Sequence, residues 1–268
     1  MPMTNENSSS PPTGRFDLAG KTAFIPGGYG EIGAAIATAL AEHGASVAVA
    51  GRDEAKAKAL AERLRAAGHR AFGLGFDATD VAAIEAAVGR AAAELGSIDI
   101  LMNCIGKNKE QKIAEVTAET FDDIYRTNLK SAMFLAQAVA KRQVATGRGG
   151  KQIHLLSVRA QLGMAKNGYS AYCASKGALV MLVKQHAGEL AAHGICVNGI
   201  APTVVETEAA RSWFEDKARY QRLLERIPLG RVAQPADIAG AALFFASAAS
   251  DFVTGQVLYL DGGLTATQ

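Results

Sequence analysis

A tyrosine and a lysine four residues apart are the first pair in this sequence with the potential for chemistry. Tyr172 and Lys176 lie in SAYCASKG, and this spacing places both on one face of a helix. An ammonium group beside a phenol favours the phenolate, so we expect the tyrosine pKa to lie below its usual value of about 10. Such a tyrosine exchanges a proton near neutral pH. The same spacing also arises by chance, and a pair on a solvent-exposed helix is the alternative.

A glycine-rich segment near the start of the chain predicts a nucleotide-binding loop. IPGGYGEIG ends an apolar run and opens a helix, and Gly28, Gly30 and Gly33 satisfy the pattern G-x-G-x-x-G. Glycines let main-chain N–H groups approach a diphosphate, and the helix N-terminus adds a partial positive charge. A tight turn with a purely structural role is the alternative.

The next apolar run, SVAVA, ends in Gly51-Arg52-Asp53. An acid at this point accepts hydrogen bonds from the adenosine ribose of NAD, whereas an arginine pairs with the 2′-phosphate of NADP. Asp53 directly precedes a helical segment, where we expect it to act as the N-cap. That role leaves Arg52 free to bind the phosphate, so NADP is favoured over NAD.

Short apolar runs alternate with amphipathic segments along the chain. The runs show little strict alternation, which is typical of strands buried on both faces of a parallel sheet. The alternation of strands with helices predicts βαβ units in a doubly wound α/β sheet. The functional site of such a sheet lies at the carboxyl ends of its strands. The predicted strands are 22–26, 46–50, 70–75, 98–103, 152–157, 195–201 and 257–260, and the predicted helices are 32–43, 54–67, 81–95, 121–145, 174–192, 208–225 and 235–248.

Composition excludes several functional classes. With 28 Lys and Arg against 26 Asp and Glu, the net charge of +2 predicts neither a nucleic acid nor a membrane partner. Three cysteines without CxxC spacing and five histidines without an HExxH pair predict no metal site. We expect reduced thiols and a cytoplasmic location. Residues 1–14 are polar and predict a disordered tail before one domain over 15–268.

Further motifs follow in a fixed order. After the glycine loop come Asp77, NCIG at 103–106, Asn128 in TNLKS and Ser157 in LLSV, followed by the tyrosine–lysine pair. APTVVET at 201–207 and VTGQVLYLDGG at 253–263 complete the series. With these motifs, residues 18–263 resemble the classical short-chain dehydrogenase/reductase family. The resemblance implies a single-domain Rossmann-type fold, a doubly wound parallel sheet of about seven strands flanked by helices.

The resemblance also implies an NAD(P)-dependent oxidoreductase that interconverts a secondary alcohol and a ketone by hydride transfer. Tyr172 would exchange the proton with the substrate oxygen, and Ser157 would hydrogen-bond that oxygen. Lys176 would lower the tyrosine pKa and bind the nicotinamide ribose, and Asn128 would hold a water that links the lysine to solvent. The implied cofactor-binding residues are Gly27, Tyr29, Gly30, Glu31, Ile32, Arg52, Asp53, Asp77, Ala78, Asn103, Ile105, Gly106, Tyr172, Lys176, Pro202, Val205 and Thr207.

The sequence departs from the family pattern at several points. Glu31 replaces the middle glycine of the usual loop and Pro26 replaces its threonine. A carboxylate near a diphosphate is repulsive, although an acid in the first turn of a helix is locally favourable. Thr203 replaces a glycine, and the 15 residues from Ser157 to Tyr172 exceed the usual separation by about two. We therefore expect weaker cofactor binding and an unusual wall of the substrate pocket.

The substrate-binding residues follow from charge and position near the proton-transfer site. Arg159 and Lys107 suit a carboxylate-bearing small molecule, and Trp213 lies in 208–228, which resembles the family's substrate lid. With Ser157 and Tyr172 they make up the predicted set. The alternatives are an Arg159 paired with a local acid, a solvated basic loop around Lys107 and a Trp213 that serves packing alone.

Within the family, the sequence is most similar to sugar-acid and polyol dehydrogenases of the gluconate 5-dehydrogenase-like group. A 3-oxoacyl thioester reductase of fatty-acid or polyketide type is the second candidate. A non-catalytic cofactor-binding regulator is the alternative from another class. The resemblance further implies a homotetramer that associates through 121–145 and 174–192, with a second contact from AALFFA and VLYL near the C-terminus.

Overall fold

One parallel sheet forms the centre of the protein in a computed structural model, which describes residues 14–165 and 167–267, and only the main chain at 209, 212 and 213. The sheet has the strand order β3-β2-β1-β4-β5-β6-β7. This arrangement confirms the predicted doubly wound α/β fold. The strands are β1 (Thr22–Pro26), β2 (Ser46–Gly51), β3 (Ala71–Gly75), β4 (Ile100–Asn103), β5 (Gly150–Leu155), β6 (Ile195–Pro202) and β7 (Val257–Leu260).

Helices cover both faces of the sheet. Helix α3 has the bounds that the sequence predicts, and α1 and α2 differ from the predicted bounds by a single residue at one end or both. The helices are α1 (Glu31–Glu42), α2 (Glu54–Ala66), α3 (Val81–Leu95), α4 (Ala118–Tyr125), α5 (Ser131–Thr146), α6 (Ser170–Leu190), α7 (Arg211–Glu215), α8 (Lys217–Leu224) and α9 (Pro235–Ala246).

Successive residues of the central strands enter different cores. Ile25 of β1 packs with Ile36 of α1 and Phe245 of α9 on one face. Phe24 packs with Val88 of α3 and other residues on the opposite face. Burial on both faces is the reason for the nearly continuous apolar runs that predict these strands.

Several predicted segments differ from the structure in their bounds, among them α6, which begins at Ser170 and not at residue 174. The fifth strand is Gly150–Leu155, so Ser157 lies two residues beyond it instead of inside it. The predicted helix 121–145 is divided by a π-helical turn, Arg126–Lys130. The predicted helix 208–225 is two helices, because Asp216 begins α8 and its carboxylate accepts a hydrogen bond from the Arg219 N–H at 3.0 Å. The expected disordered tail lies outside the described residues except for Gly14.

The strand order reverses between β1 and β4, which pair in parallel through Phe24 and Leu101. The loops that follow these two strands therefore leave the sheet side by side and form a crevice at its carboxyl edge. Gly33 brings α1 close to the first loop, since a Cβ atom at this position would lie 2.4 Å from the carbonyl oxygen of Gly27. The glycine loop and the 103–106 segment thus border one crevice.

We predict that Phe245→Ala lowers the free energy of unfolding by about 3–5 kcal/mol, because the ring is 2% exposed and its loss leaves a cavity between α9 and α1. Phe252→Ala is the matched control, since that ring is fully exposed, and it should change the free energy by less than about 0.5 kcal/mol. Urea unfolding of both variants measures the difference. Equal effects would contradict this description of the core.

Candidate active site

A cavity of about 380 Å³ lies at the carboxyl edge of the sheet and is lined by Ser157, Tyr172 and Lys176, three of the four residues that the sequence predicts to be catalytic. Ser157 reaches it from the end of β5, and Tyr172 and Lys176 reach it from the first turns of α6. The segment after β6 supplies the opposite wall with Pro202, Val205 and Thr207. Residues that are distant in sequence therefore meet because parallel strands end at the same edge.

The tyrosine and lysine lie on one face of α6, as predicted. The Lys176 ammonium is 5.8 Å from the centre of the Tyr172 ring and donates a hydrogen bond to the carbonyl oxygen of Leu155 at 2.8 Å. Lys176 is 2% exposed, and burial lowers its pKa to about 8. The pair is therefore enclosed by protein, and the alternative of a solvent-exposed helix surface is wrong.

The Tyr172 pKa differs from the expectation. Burial raises the pKa of the Tyr172 phenol above its usual value, and the Ser157 hydroxyl opposes that rise. The expected net lowering of this pKa is wrong for the chain by itself, because burial is the largest influence on the phenol. At neutral pH the phenol therefore carries its proton.

Asn128 lies in the π-helical turn between α4 and α5 and is completely buried. Its Oδ1 accepts a hydrogen bond from the main-chain N–H of Lys107 at 2.8 Å, and its Nδ2 donates to the carbonyl oxygen of the same residue at 2.9 Å. Nδ2 also donates to the Ser175 hydroxyl at 3.0 Å. The side chain thus joins the loop after β4 to α6, next to Lys176.

Arg159 is a buried cation in the substrate cavity. Its guanidinium, 6% exposed as a residue, donates to the carbonyl oxygens of Gly163 at 2.8 Å and Leu162 at 3.4 Å. Burial lowers the pKa of this arginine. Among the residues that the structure describes, no carboxylate pairs with it, so the alternative of an ion pair with a local acid is wrong. The cavity therefore carries an uncompensated positive charge beside Ser157 and Tyr172.

The longer connection between Ser157 and Tyr172 is fixed to the loop after β4. Tyr169 donates from its hydroxyl to Glu110 Oε1 at 2.8 Å, and the Asn167 amide donates to Glu110 Oε2 at 2.8 Å. The Tyr169 ring contacts Tyr172 edge-on, with 5.9 Å between ring centres. Sequence reasoning missed Tyr169 as a cavity residue. Its position three residues before Tyr172, at the N-cap of the same helix, is the signal that could have indicated it.

A second cavity of about 640 Å³ adjoins the first, and the two share the segment from Cys104 to Gly106. The glycine loop forms one wall, where Gly27 has φ +77° and a Cβ atom would lie 2.9 Å from the Cys104 main chain. Helix α1 begins after Gly30, which has no side chain to cap the first N–H groups. These donors suit a diphosphate. The predicted cofactor residues in this cavity are Gly27, Tyr29, Gly30, Arg52, Asp77, Ala78, Ile105 and Gly106.

Other predicted residues lie elsewhere. Asp53 caps α2 by accepting a hydrogen bond from the Lys56 N–H at 3.0 Å, which confirms its N-cap role, and its ribose contact stays a prediction. Asn103 is buried and accepts from the Ile105 N–H at 3.1 Å, so it shapes the loop. The Lys107 ammonium pairs with Asp123 and lines the larger cavity, and its substrate contact stays a prediction. No motif in the sequence indicates Asp123 as the partner of Lys107.

The segment after Thr207, which the sequence predicts to be a substrate lid, packs around a small core of its own. Leu223, Ile227 and Val232 make a small apolar cluster of their own, against which Phe214 and Tyr220 pack. The predicted Trp213 contact lies outside the described side chains. Ile32 and Ala210 line the 380 Å³ cavity together, so the lid begins directly beside α1.

Comparison with known proteins decides the family. Residues 30–265 match the family described as enoyl-(acyl carrier protein) reductase. Gluconate 5-dehydrogenase of Gluconobacter oxydans is 36% identical over 250 residues, 93% of this chain and 96% of that protein. D-threitol dehydrogenase of Mycolicibacterium smegmatis is 39% identical over 253 residues, 93% of this chain and 95% of that protein. The chain belongs to the classical short-chain dehydrogenase/reductase family.

Solved structures agree with this assignment. The crystal structure of a gluconate 5-dehydrogenase from Burkholderia cenocepacia, in complex with NADP and tartrate, superposes with a TM-score of 0.91 at 39% identity. The superposition covers 96% of this chain and 99% of that one. As a short-chain dehydrogenase/reductase, the protein is an NAD(P)-dependent oxidoreductase.

The described part of the chain also bears on two other kinds of site. No described helix has the length and apolar character to cross a membrane. Within the same residues, no three His, Cys, Asp or Glu side chains lie close enough to hold a metal ion. The three cysteines are unpaired.

For this short-chain dehydrogenase/reductase we predict that Tyr172→Phe lowers kcat by about 10²–10⁴, because it removes the exchangeable phenolic proton. Nucleotide binding should persist, since the ring is retained. Stopped-flow or steady-state rates and a nucleotide titration measure the two effects. Tyr125→Phe is the control, because Tyr125 stacks on Phe121 in α4. A loss below about tenfold in Tyr172→Phe would contradict the assignment.

Proposed function

We propose that the protein interconverts a secondary alcohol and a ketone on a sugar acid or polyol, with NADP(H) as the cofactor. The observation that carries this proposal is the meeting of Ser157, Tyr172 and the unpaired guanidinium of Arg159 in one cavity. A gluconate 5-dehydrogenase and a D-threitol dehydrogenase are similar over nearly the whole chain, which supports both substrate classes.

The reaction requires a proton and a hydride at the two ends of one carbon–oxygen bond. When bound, the nicotinamide supplies or accepts the hydride. The protonated phenol of Tyr172 donates its proton to the ketone oxygen during reduction and accepts it back during oxidation. The Ser157 hydroxyl hydrogen-bonds the same oxygen and stabilises its developing charge. Because the Lys176 pKa is about 8, its ammonium is present at neutral pH and stabilises negative charge near the phenol.

The side chains at the end of β2 support NADP over NAD. Arg52 lines the larger cavity together with Asp77, while Asp53 is held by the first turn of α2. The pKa of Asp77 is lowered, first by hydrogen bonds from Thr79 and then by the charge of Arg52. The guanidinium and Asp77 therefore line the same part of the larger cavity, which supports a role for Arg52 at the adenosine of the cofactor. A similar structure contains NADP, which agrees with this preference.

Arg52→Ala should lower kcat/KM for NADP by about tenfold to a hundredfold, because a hydrogen-bonded ion pair with the 2′-phosphate is worth about 1.5–3 kcal/mol. The value for NAD should remain nearly unchanged. Arg63→Ala is the matched control, because it removes an exposed arginine of α2. Wild-type preference for NAD, or an equal loss with both cofactors, would show that this arginine does not select the cofactor.

The unpaired charge of Arg159 supports a carboxylate-bearing substrate. A buried cation without a counter-ion is unfavourable, and a substrate carboxylate beside it supplies the missing charge and the bidentate acceptor. Polyols lack that group. A substitution of Arg159 should therefore affect sugar acids and polyols differently.

We predict that Arg159→Gln raises KM for a keto sugar acid by about tenfold to a hundredfold and changes KM for a polyol much less. The same variant is thus its own control across the two substrates. Steady-state rates at fixed NADP(H) measure both values. Equal changes for the acid and the polyol would mean that the guanidinium supports the cavity wall and does not bind the carboxylate.

A substrate screen tests the proposed function as a whole. Wild-type protein is assayed by the absorbance of the reduced nicotinamide with sugar acids, polyols and a 3-oxoacyl thioester, and Tyr172→Phe serves as the blank. Turnover of a sugar acid or polyol above the blank is expected. Turnover of the thioester alone would favour the acyl reductase. Nucleotide binding without turnover of any substrate would favour a regulator.

We also propose a homotetramer. The stacked Phe121 and Tyr125 of α4, Leu258 of β7 and the neighbouring Leu229 are exposed or partly exposed apolar side chains at the two predicted contacts. Covering them by further copies of the chain lowers their exposure to water. The AALFFA segment contributes less than predicted, because Phe245 is buried inside its own subunit. Light scattering at micromolar protein should give four times the subunit mass.

A further inference from the structure

Glu31 is the first residue of α1 and replaces a glycine of the family pattern. It lies between Gly30 and Ile32, each of which lines one of the two adjoining cavities. Its side chain is exposed, so the core does not require it. A carboxylate at the helix end predicted to bind a diphosphate therefore needs another explanation.

The Glu31 carboxylate is bonded to the start of the lid. Its Oε2 accepts a hydrogen bond at 2.7 Å from the main-chain N–H of Glu208, 177 residues away in sequence. Glu208 is the first residue of a short 3₁₀ helix, Glu208–Ala210, which lies directly before α7. The preceding residue, Thr207, lines the substrate cavity. The contact thus joins the first turn of the nucleotide-binding helix to the element that covers the substrate.

Neither the Glu208 side chain nor the Thr207 side chain accepts a hydrogen bond from the main-chain N–H of Glu208, which donates to Glu31. The side chain of Glu208 forms an ion pair with Arg211, and Thr207, at the N-cap position of the turn, makes no side-chain cap. The lid residues otherwise pack in their own cluster around Leu223 and Ile227. A charge-assisted hydrogen bond to a carboxylate is stronger than a neutral one. It is well placed to hold a lid that has its own small core.

The same carboxylate acts on the nucleotide in the opposite sense. A diphosphate bound by the first N–H groups of α1 would lie close to a second negative charge, and like charges at short distance repel. One side chain therefore attracts the lid and opposes the cofactor.

We propose that Glu31 is a positioning residue that fastens the lid to the nucleotide loop and, through its charge, weakens nucleotide binding. Lid order and nucleotide affinity are coupled through this one group. The coupling rests on the proposed function only in that a nicotinamide nucleotide occupies the larger cavity. The lid contact itself is independent of the substrate.

Four substitutions separate the hydrogen bond from the charge. Glu31→Gln keeps an acceptor oxygen and removes the charge, whereas Glu31→Ala removes both. Glu208→Pro removes the donor N–H, and proline is tolerated there because Glu208 is the first residue of its turn and Thr207 is extended, with φ −144° and ψ 160°. Glu208→Ala is the matched control, since it keeps the N–H and loses only the side chain.

Two properties of each variant are measured, the affinity for the nucleotide and the order of the lid. A fluorescence titration gives the dissociation constant of NADPH, or of NADH if that nucleotide binds more tightly. Hydrogen exchange of residues 209–224 reports the order of the lid, and fluorescence of Trp213, the single tryptophan of the chain, provides a second signal from the same segment. Thermal unfolding checks that each variant is folded.

We expect nucleotide binding to tighten about threefold to tenfold in both Glu31 variants, an exposed charge contact being screened by water. Lid exchange should accelerate in Glu31→Ala and Glu208→Pro, change least in Glu31→Gln and stay as in the wild type in Glu208→Ala. In Glu208→Pro the nucleotide should bind no more tightly than in the wild type, because the carboxylate remains.

Three results would overturn the proposal. Unchanged lid exchange in Glu31→Ala would remove the fastening role, and identical exchange in Glu208→Pro and Glu208→Ala would show that the N–H is unimportant. Weaker nucleotide binding in Glu31→Gln would reverse the expected sign of the charge effect. Failure of the wild type to bind any nicotinamide nucleotide would instead contradict the proposed function, while lid exchange would still test the contact.

Discussion

The arrangement of the active site depends on the hydrogen bonds of the Asn128 side-chain amide. It satisfies both main-chain groups of Lys107 and the hydroxyl of Ser175 at the same time. The π-helical turn that contains it interrupts what would otherwise be one long helix, and this change of pitch brings the side chain into the core. Because the group is completely buried, losing any of these bonds would leave an unsatisfied polar atom. The loop after β4 and α6 are therefore held in one fixed relation.

Two buried cations give this site its electrostatic character. The Lys176 ammonium and the Arg159 guanidinium both donate to main-chain carbonyl oxygens, of Leu155 and of Gly163. Carbonyl oxygens satisfy the hydrogen bonds but contribute only partial charges. The carboxyl edge of the sheet is thus positive at the substrate, whereas Glu31 adds a negative charge at the start of α1.

The sequence predicts the elements well where one local rule decides them. The strand Val257–Leu260 and the helix Val81–Leu95 have the predicted bounds, because a single apolar period and a capping residue define them. The predicted helix 208–225 is broken at Asp216, which is an N-cap residue type and therefore a local signal for a new helix. The helical spacing of the apolar residues on either side favours one continuous helix instead. The π-helical turn around Asn128 and the bond from Glu31 to Glu208 arise from packing between distant segments. No spacing in the chain encodes them.

Burial of Lys176 links folding to protonation. The pKa of this lysine is about 8 in the folded protein against an ordinary value of 10.5. Between these pH values the unfolded chain binds a proton that the folded chain does not, so the free energy of unfolding increases as the pH rises through this interval. Below it, the folded protein keeps a desolvated ammonium and is less stable for that reason. Any ligand that favours the ammonium raises this pKa and recovers the lost stability, so that binding, folding and proton uptake are thermodynamically linked at one nitrogen atom.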